Sequence, residues 1–95
     1  MTTRKARDVT AALRKKGFEQ SEGDHSFFTY YRASDQRKTA VFTKVSHGET
    51  DIGDYLISKM AQQCRLARSE FLNLVDCPLD RAGYESLLKS KGVDV

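Results

Sequence analysis

A helical apolar stripe that ends at Gly17, followed at once by residues that alternate in character every second position, is the feature that most constrains this chain. Ala6, Val9 and Leu13 recur at i, i+3 and i+7, while Arg4, Lys5, Arg7 and Arg14 cover the other face, so residues 4–16 read as a helix. Thr3 is placed to cap its start, and Gly17 stands where a left-handed residue ends a helix. Phe18 follows at the position that folds back onto Leu13. Lys15 and Lys16 in the last turn either complement the helix dipole or reach a phosphate.

Beyond the stop, the period changes to two. Phe18 to about Ser21 reads as a short strand turned at Glu22-Gly23-Asp24, and His25 to Arg32 as a second strand. A polar turn at 33–37 leads to a third strand over 38–46, rich in β-branched residues. We place Phe28, Tyr30, Val41 and Val45 inward, which leaves His25, Phe27, Thr29, Tyr31 and Lys44 on the open face. After the loop 46–50, Asp51 is placed to cap a helix over 52–65, with Ile52, Leu56, Met60 and Cys64, joined by Tyr55, as its stripe. A short helix at about Arg68–Asp76 is broken by Pro78, and Asp80 caps a last helix that carries Tyr84, Leu87 and Leu88 and stops at Gly92. The order α-β-β-β-α plus a helical extension is an α+β fold, a three-stranded antiparallel sheet with helices on one face. It forms one domain over 1–95, with a core at 4–66 and an extension at 67–95.

Ninety-five residues suit a single small core, and 39% hydrophobic content with mean hydropathy −0.58 suits a protein in water. No apolar run follows Met1–Lys5, so no signal peptide is expected, and no stretch is long enough to span a bilayer. Cys64 and Cys77 form no C-x-x-C pair and do not group with the histidines. They read as small buried hydrophobes in a reducing cytoplasm, with no metal and no cofactor expected. The net charge of +3 is uneven: residues 1–48 carry ten Lys/Arg against five Asp/Glu, and residues 49–95 carry six against eight. A basic half opposite an acidic one suggests a side that binds phosphate.

The residue types for chemistry are few. His25 follows a tight Gly23-Asp24 turn at the mouth of an aromatic strand, and an imidazole is the common general base near neutral pH. Lys44, on the same face, is a candidate to stabilise phosphate charge, and His47 a candidate acid. Arg4, Lys5, Arg7, Arg14, Lys15, Lys16, Lys38 and Lys44 are candidate phosphate contacts, and Phe27 or Tyr31 can stack on unpaired bases.

These motifs, in this order, resemble the HicA toxins, small bacterial and archaeal RNA endonucleases. The likeness spans residues 4–66: a basic first helix ending Lys16-Gly17-Phe18, the turn Gly23-Asp24-His25-x-x-Phe28, a strand ending Val45-Ser46-His47, and a helix opening Ile52-Gly53-Asp54-Tyr55-Leu56-Ile57. The resemblance implies a fold like a double-stranded-RNA-binding domain. It also implies a type II toxin that cleaves mRNA without a metal through one histidine, here His25, silenced by a HicB-like antitoxin protein. Three departures stand out: Asp24 where the family usually has Ser, Ser46 where proline often precedes the second histidine, and the extension 67–95. A non-catalytic RNA-binding module of the same fold is the alternative. A protein adaptor presenting Phe71, Leu72, Tyr84 and Leu88 is a third reading.

Overall fold

The computed structural model describes residues 2–76 and 78–95. Its elements are β1 (Arg4–Lys5), α1 (Ala6–Lys15), β2 (Phe18–Glu22), β3 (Ser26–Tyr31), β4 (Lys38–Val45), β5 (Asp51–Ile52), α2 (Asp54–Gln63), α3 (Arg68–Asp76) and α4 (Arg81–Ser90). Strands β2, β3 and β4 form an antiparallel sheet in that order. Gly17 adopts φ +102°, the left-handed conformation expected of a helix-ending glycine.

The alternation in β3 and β4 divides the sheet as its sequence predicts. Phe28, Tyr30, Val41 and Val45 are buried on one face, and Phe42 projects from the other with 46% of its surface exposed. All four helices contribute to the core on the buried face. Phe18, Tyr30 and Tyr84 form an aromatic knot there: Tyr30 meets Phe18 edge-on at 5.4 Å and Tyr84 at 5.1 Å and 90°. Each such ring contributes roughly 2–3 kcal/mol by burial, and edge-to-face pairs add about 1 kcal/mol more. The Tyr84 hydroxyl donates to the carbonyl of Cys64 at 2.9 Å, and the Tyr30 hydroxyl donates to Glu85 at 2.7 Å. Burial pushes the Tyr30 phenol up to about 12.

Several boundaries move. Residues Arg4–Lys5 are not helical but pair antiparallel with Asp51–Ile52, Arg4 opposite Ile52. A backbone ladder satisfies these groups instead of a helical turn, and it extends to Ala6 N–H, which donates to Thr50 at 2.9 Å. Thr3 and Asp51 therefore cap nothing; Lys5 and Gly53 stand at the caps, without side-chain bonds. Because α2 begins at Asp54, its buried residues are Ile57, Met60 and Ala61, and Ile52 reaches the core from β5. Asp80 caps α4 as expected, accepting from Gly83 N–H at 2.8 Å.

The extension is not separable from the core. Of the residues offered for an adaptor, Phe71, Tyr84 and Leu88 are fully buried with the residues of 4–66 and Leu72 packs partly buried against them, so they form no exposed apolar surface. Cys64 is buried and its thiol is pushed up by desolvation, as for an inert core cysteine. Cys77 lies outside the described residues.

Candidate functional site

The tight turn after β2 and the register of the sheet decide where the site residues go. Ser26 pairs with Val45 and Phe27 with Lys44, so His25 enters β3 at the end of the sheet where β4 finishes. A cleft of about 190 Å³ opens there between β4 and α2. It is lined by His25, Lys44, Ser46, Lys59 and Gln63 over a floor that includes Ile52 and Met60. Two lysines, a histidine and no carboxylate line it, which favours an anion. Gln63 fixes the β4 wall: its Oε1 accepts from the Thr43 hydroxyl at 2.6 Å.

His25 itself is about one-third exposed, and its Nδ1 is buried without a hydrogen-bond partner. Asp24 lies 3.8 Å from that nitrogen, too far for a hydrogen bond, and its carboxylate is almost wholly in solvent. The Phe27 ring stands edge-on to the imidazole at 6.3 Å.

His47 does not join this group. Its Nε2 lies 3.0 Å from the Gly23 carbonyl and its Nδ1 lies 3.6 Å from Glu22, so it clasps the β2–β3 turn. It lines a different cleft, with Arg7, Thr10 and Gln20 beside α1. His25 and Lys44 line one cleft between β4 and α2; a shared cleft for the two histidines is not formed.

The candidate phosphate contacts divide into three kinds. Lys16 is the clear correction: only 4% exposed, it donates through Nζ to the carbonyls of Leu74 at 2.8 Å and Leu79 at 2.7 Å. Its ammonium satisfies backbone carbonyls at the end of α3 and beyond, so it presents no charge to a ligand. Arg4 and Lys5 carry their own counter-ions. Arg4 grips Asp76 through two bonds of 2.9 and 2.7 Å, which hold the Asp76 carboxyl below its ordinary range, and Lys5 meets Asp51 at 3.2 Å. Arg7, Arg14, Lys15, Lys38 and Lys44 are exposed and, among the described residues, in no ion pair, although Arg14 donates to Gln20 at 2.7 Å. They do not form one patch: Arg7, Arg14 and Lys15 belong to α1 behind the sheet, and Lys38 and Lys44 to β4. Tyr31 sits partly buried opposite Lys38.

One residue of the site has no signal in sequence periodicity. Lys59 on α2 enters the His25 cleft, and its ammonium lies 5.8 Å from the ring of Tyr55, which is 75% exposed and so does not join the buried stripe expected of it. The polar face of any surface helix carries such residues; only the packing of α2 along β4 gives Lys59 its place. Among the described residues, no group of three or more His, Cys, Asp or Glu is arranged to hold a metal ion, and no helix is long and apolar enough to cross a membrane.

No family model, curated protein or solved structure matches the chain. The likeness to HicA toxins thus rests on the motif series, and the functional reading on the site.

Proposed function

We propose that this chain is an RNA endonuclease of the HicA kind, a cytoplasmic toxin that acts on mRNA without a metal and is held in check by a HicB-like antitoxin. The fold is read as similar to a double-stranded-RNA-binding domain, on the strength of its α-β-β-β-α order. The observation that carries the activity is the cleft that His25 lines with Lys44 and Lys59, the Asp24 carboxylate 3.8 Å from the imidazole lying outside that lining. In this reading His25 removes the proton of a ribose 2′-hydroxyl, whose oxygen attacks the adjacent phosphorus. The bond to the 5′-oxygen breaks, leaving a 2′,3′-cyclic phosphate and a 5′-hydroxyl that takes its proton from solvent. Lys44 and Lys59 stabilise the charge that gathers on the phosphorane oxygens. His47, bound to the hairpin turn, serves to shape the loop rather than to supply a proton.

One observation favours the alternative of a binding module: no hydrogen bond orients the His25 ring, whereas a general base is ordinarily held by a second group. Incubating RNA with wild type and with His25→Ala in the presence of EDTA separates the two. The endonuclease reading expects cyclic-phosphate ends from wild type and a rate about 100- to 10,000-fold lower in the variant, with its circular dichroism unchanged. Equal RNA binding by both proteins with cleavage by neither would establish the binding module. Growth arrest on induction of wild type, relieved by His25→Ala, tests the toxin role.

A further inference from the structure

The His25 cleft is smaller than the roughly 300–1,000 Å³ of sites that enclose a whole small molecule, so it accepts a phosphate but not the nucleotide around it. On the RNA reading of that cleft, the bases must rest elsewhere. We infer that they rest on the open face of the sheet, and that the substrate is a single strand with unpaired bases, not a duplex.

The surface beside the cleft is built for it. Rings run from the His25 imidazole to Phe27 at 6.3 Å and on to Phe42 at 6.5 Å, a continuous aromatic row across β3 and β4. Phe42 is nearly half exposed, although the opposite face of the same strand fills a core. Cations stand in register with the rings: Lys44 lies opposite Phe27 and Lys38 opposite Tyr31. Neither lysine is in an ion pair among the described residues. Rings interleaved with unpaired ammonium groups match a strand that presents base faces and phosphates in alternation. A purely apolar partner would leave those two charges unmet. A duplex keeps its bases stacked internally and offers the rings nothing, which is why duplex RNA is recognised through phosphates and 2′-hydroxyls. Two carboxylates border this face: Glu19 on β2 is in register with Thr29, which stands between it and Phe42, and Asp24 lies 3.8 Å from the His25 ring, so Lys38 and Lys44 are the charges set beside the rings.

The test is fluorescence anisotropy with a labelled, unstructured RNA of about twelve nucleotides, free and annealed to its complement, in the His25→Ala background so that the strand survives. The expected results are tighter binding of the single strand than of the duplex and a loss of about 5- to 150-fold for that strand on Phe42→Ala. Phe42→Tyr, which keeps the ring, retains affinity, and Phe42→Thr, suited to an exposed strand position, reproduces the loss if the alanine variant unfolds. An affinity indifferent to Phe42, or a preference for the duplex, overturns the inference. So does self-association abolished by Phe42→Ala in sedimentation, which would make a second copy the occupant. Binding and cleavage report separately: a wild type that binds through Phe42 but never cuts keeps this platform and removes the endonuclease. A Phe42→Ala variant that cuts RNA as fast as wild type does the reverse.

Discussion

Replacing Lys16 by methionine tests whether its ammonium is a structural plug at the end of α3. The side chain is buried and its Nζ donates to two carbonyls, those of Leu74 and Leu79. Hydrogen bonds from a charged donor contribute about 1.5–3 kcal/mol each, so the gross loss is roughly 3–6 kcal/mol. Against that stands the cost of holding an ammonium out of water, itself several kcal/mol, which methionine does not carry. What persists is the penalty for two carbonyls left without a partner, so the net loss is on the order of 1–3 kcal/mol. For a domain of this size that lowers Tm by roughly 5–20 °C. Urea unfolding of Lys16→Met beside Lys15→Met reads the effect directly, because Lys15 is exposed in the same turn and its replacement leaves stability unchanged. Equal midpoints for the two variants would refute the plug. Loss of RNA affinity on Lys16→Met with stability intact would return Lys16 to the phosphate contacts.

Three further outcomes are expected. Tyr84→Phe leaves the Cys64 carbonyl without its donor inside the core and costs about 1–3 kcal/mol in urea unfolding, with no change in RNA binding. Gly17→Ala puts a methyl 2.5 Å from Arg81 Nε and 3.0 Å from the Tyr30 ring at a residue with positive φ, and destabilises by more than about 1 kcal/mol; equal stability would show that the helix end re-forms without the left-handed turn. Glu85 accepts from Ala33 N–H and the Tyr30 hydroxyl, and its pKa is lowered, first by the backbone bond from Ala33. A carboxyl depressed in the folded state contributes stability above its ordinary value near 4.5 and loses it as pH falls through the folded value. Glu85→Gln therefore flattens the fall in Tm below about pH 4.5, and an unchanged acid limb in that variant would contradict the assignment.

What could be read from the residues was whatever depends on near neighbours. Gly17 ended a helix, Asp80 capped one, and strict alternation put Phe28 and Tyr30 inside with Lys44 outside. The three failures share a cause in distance along the chain. Arg4 and Lys5 carry a helical pattern, yet Asp51 and Ile52 claim them for a ladder some forty-seven positions away. Lys16 has the appearance of a helix-end cation, and only the arrival of Leu74 and Leu79 buries it. His47 looks like a partner for His25, but it is the hairpin carbonyl of Gly23 that holds it. Lys59 and Phe42 gained importance the same way, through α2 lying along β4 and through a row of rings that spans two strands.

The aromatic knot of Phe18, Tyr30 and Tyr84 has a consequence for the order in which the molecule is made. Synthesis proceeds from the amino end, and the sheet with its His25 turn leaves the ribosome long before residue 84 does. Until α3 and α4 arrive, Phe18 and Tyr30 lie open to water and the Lys16 ammonium has no carbonyls to meet. A nascent chain paused in the sixties therefore holds every residue of the His25 cleft while the opposite face of its sheet is still uncovered. The last third thus acts as a latch on the first, closing over Phe18, Tyr30 and Lys16 after the rest of the chain is made.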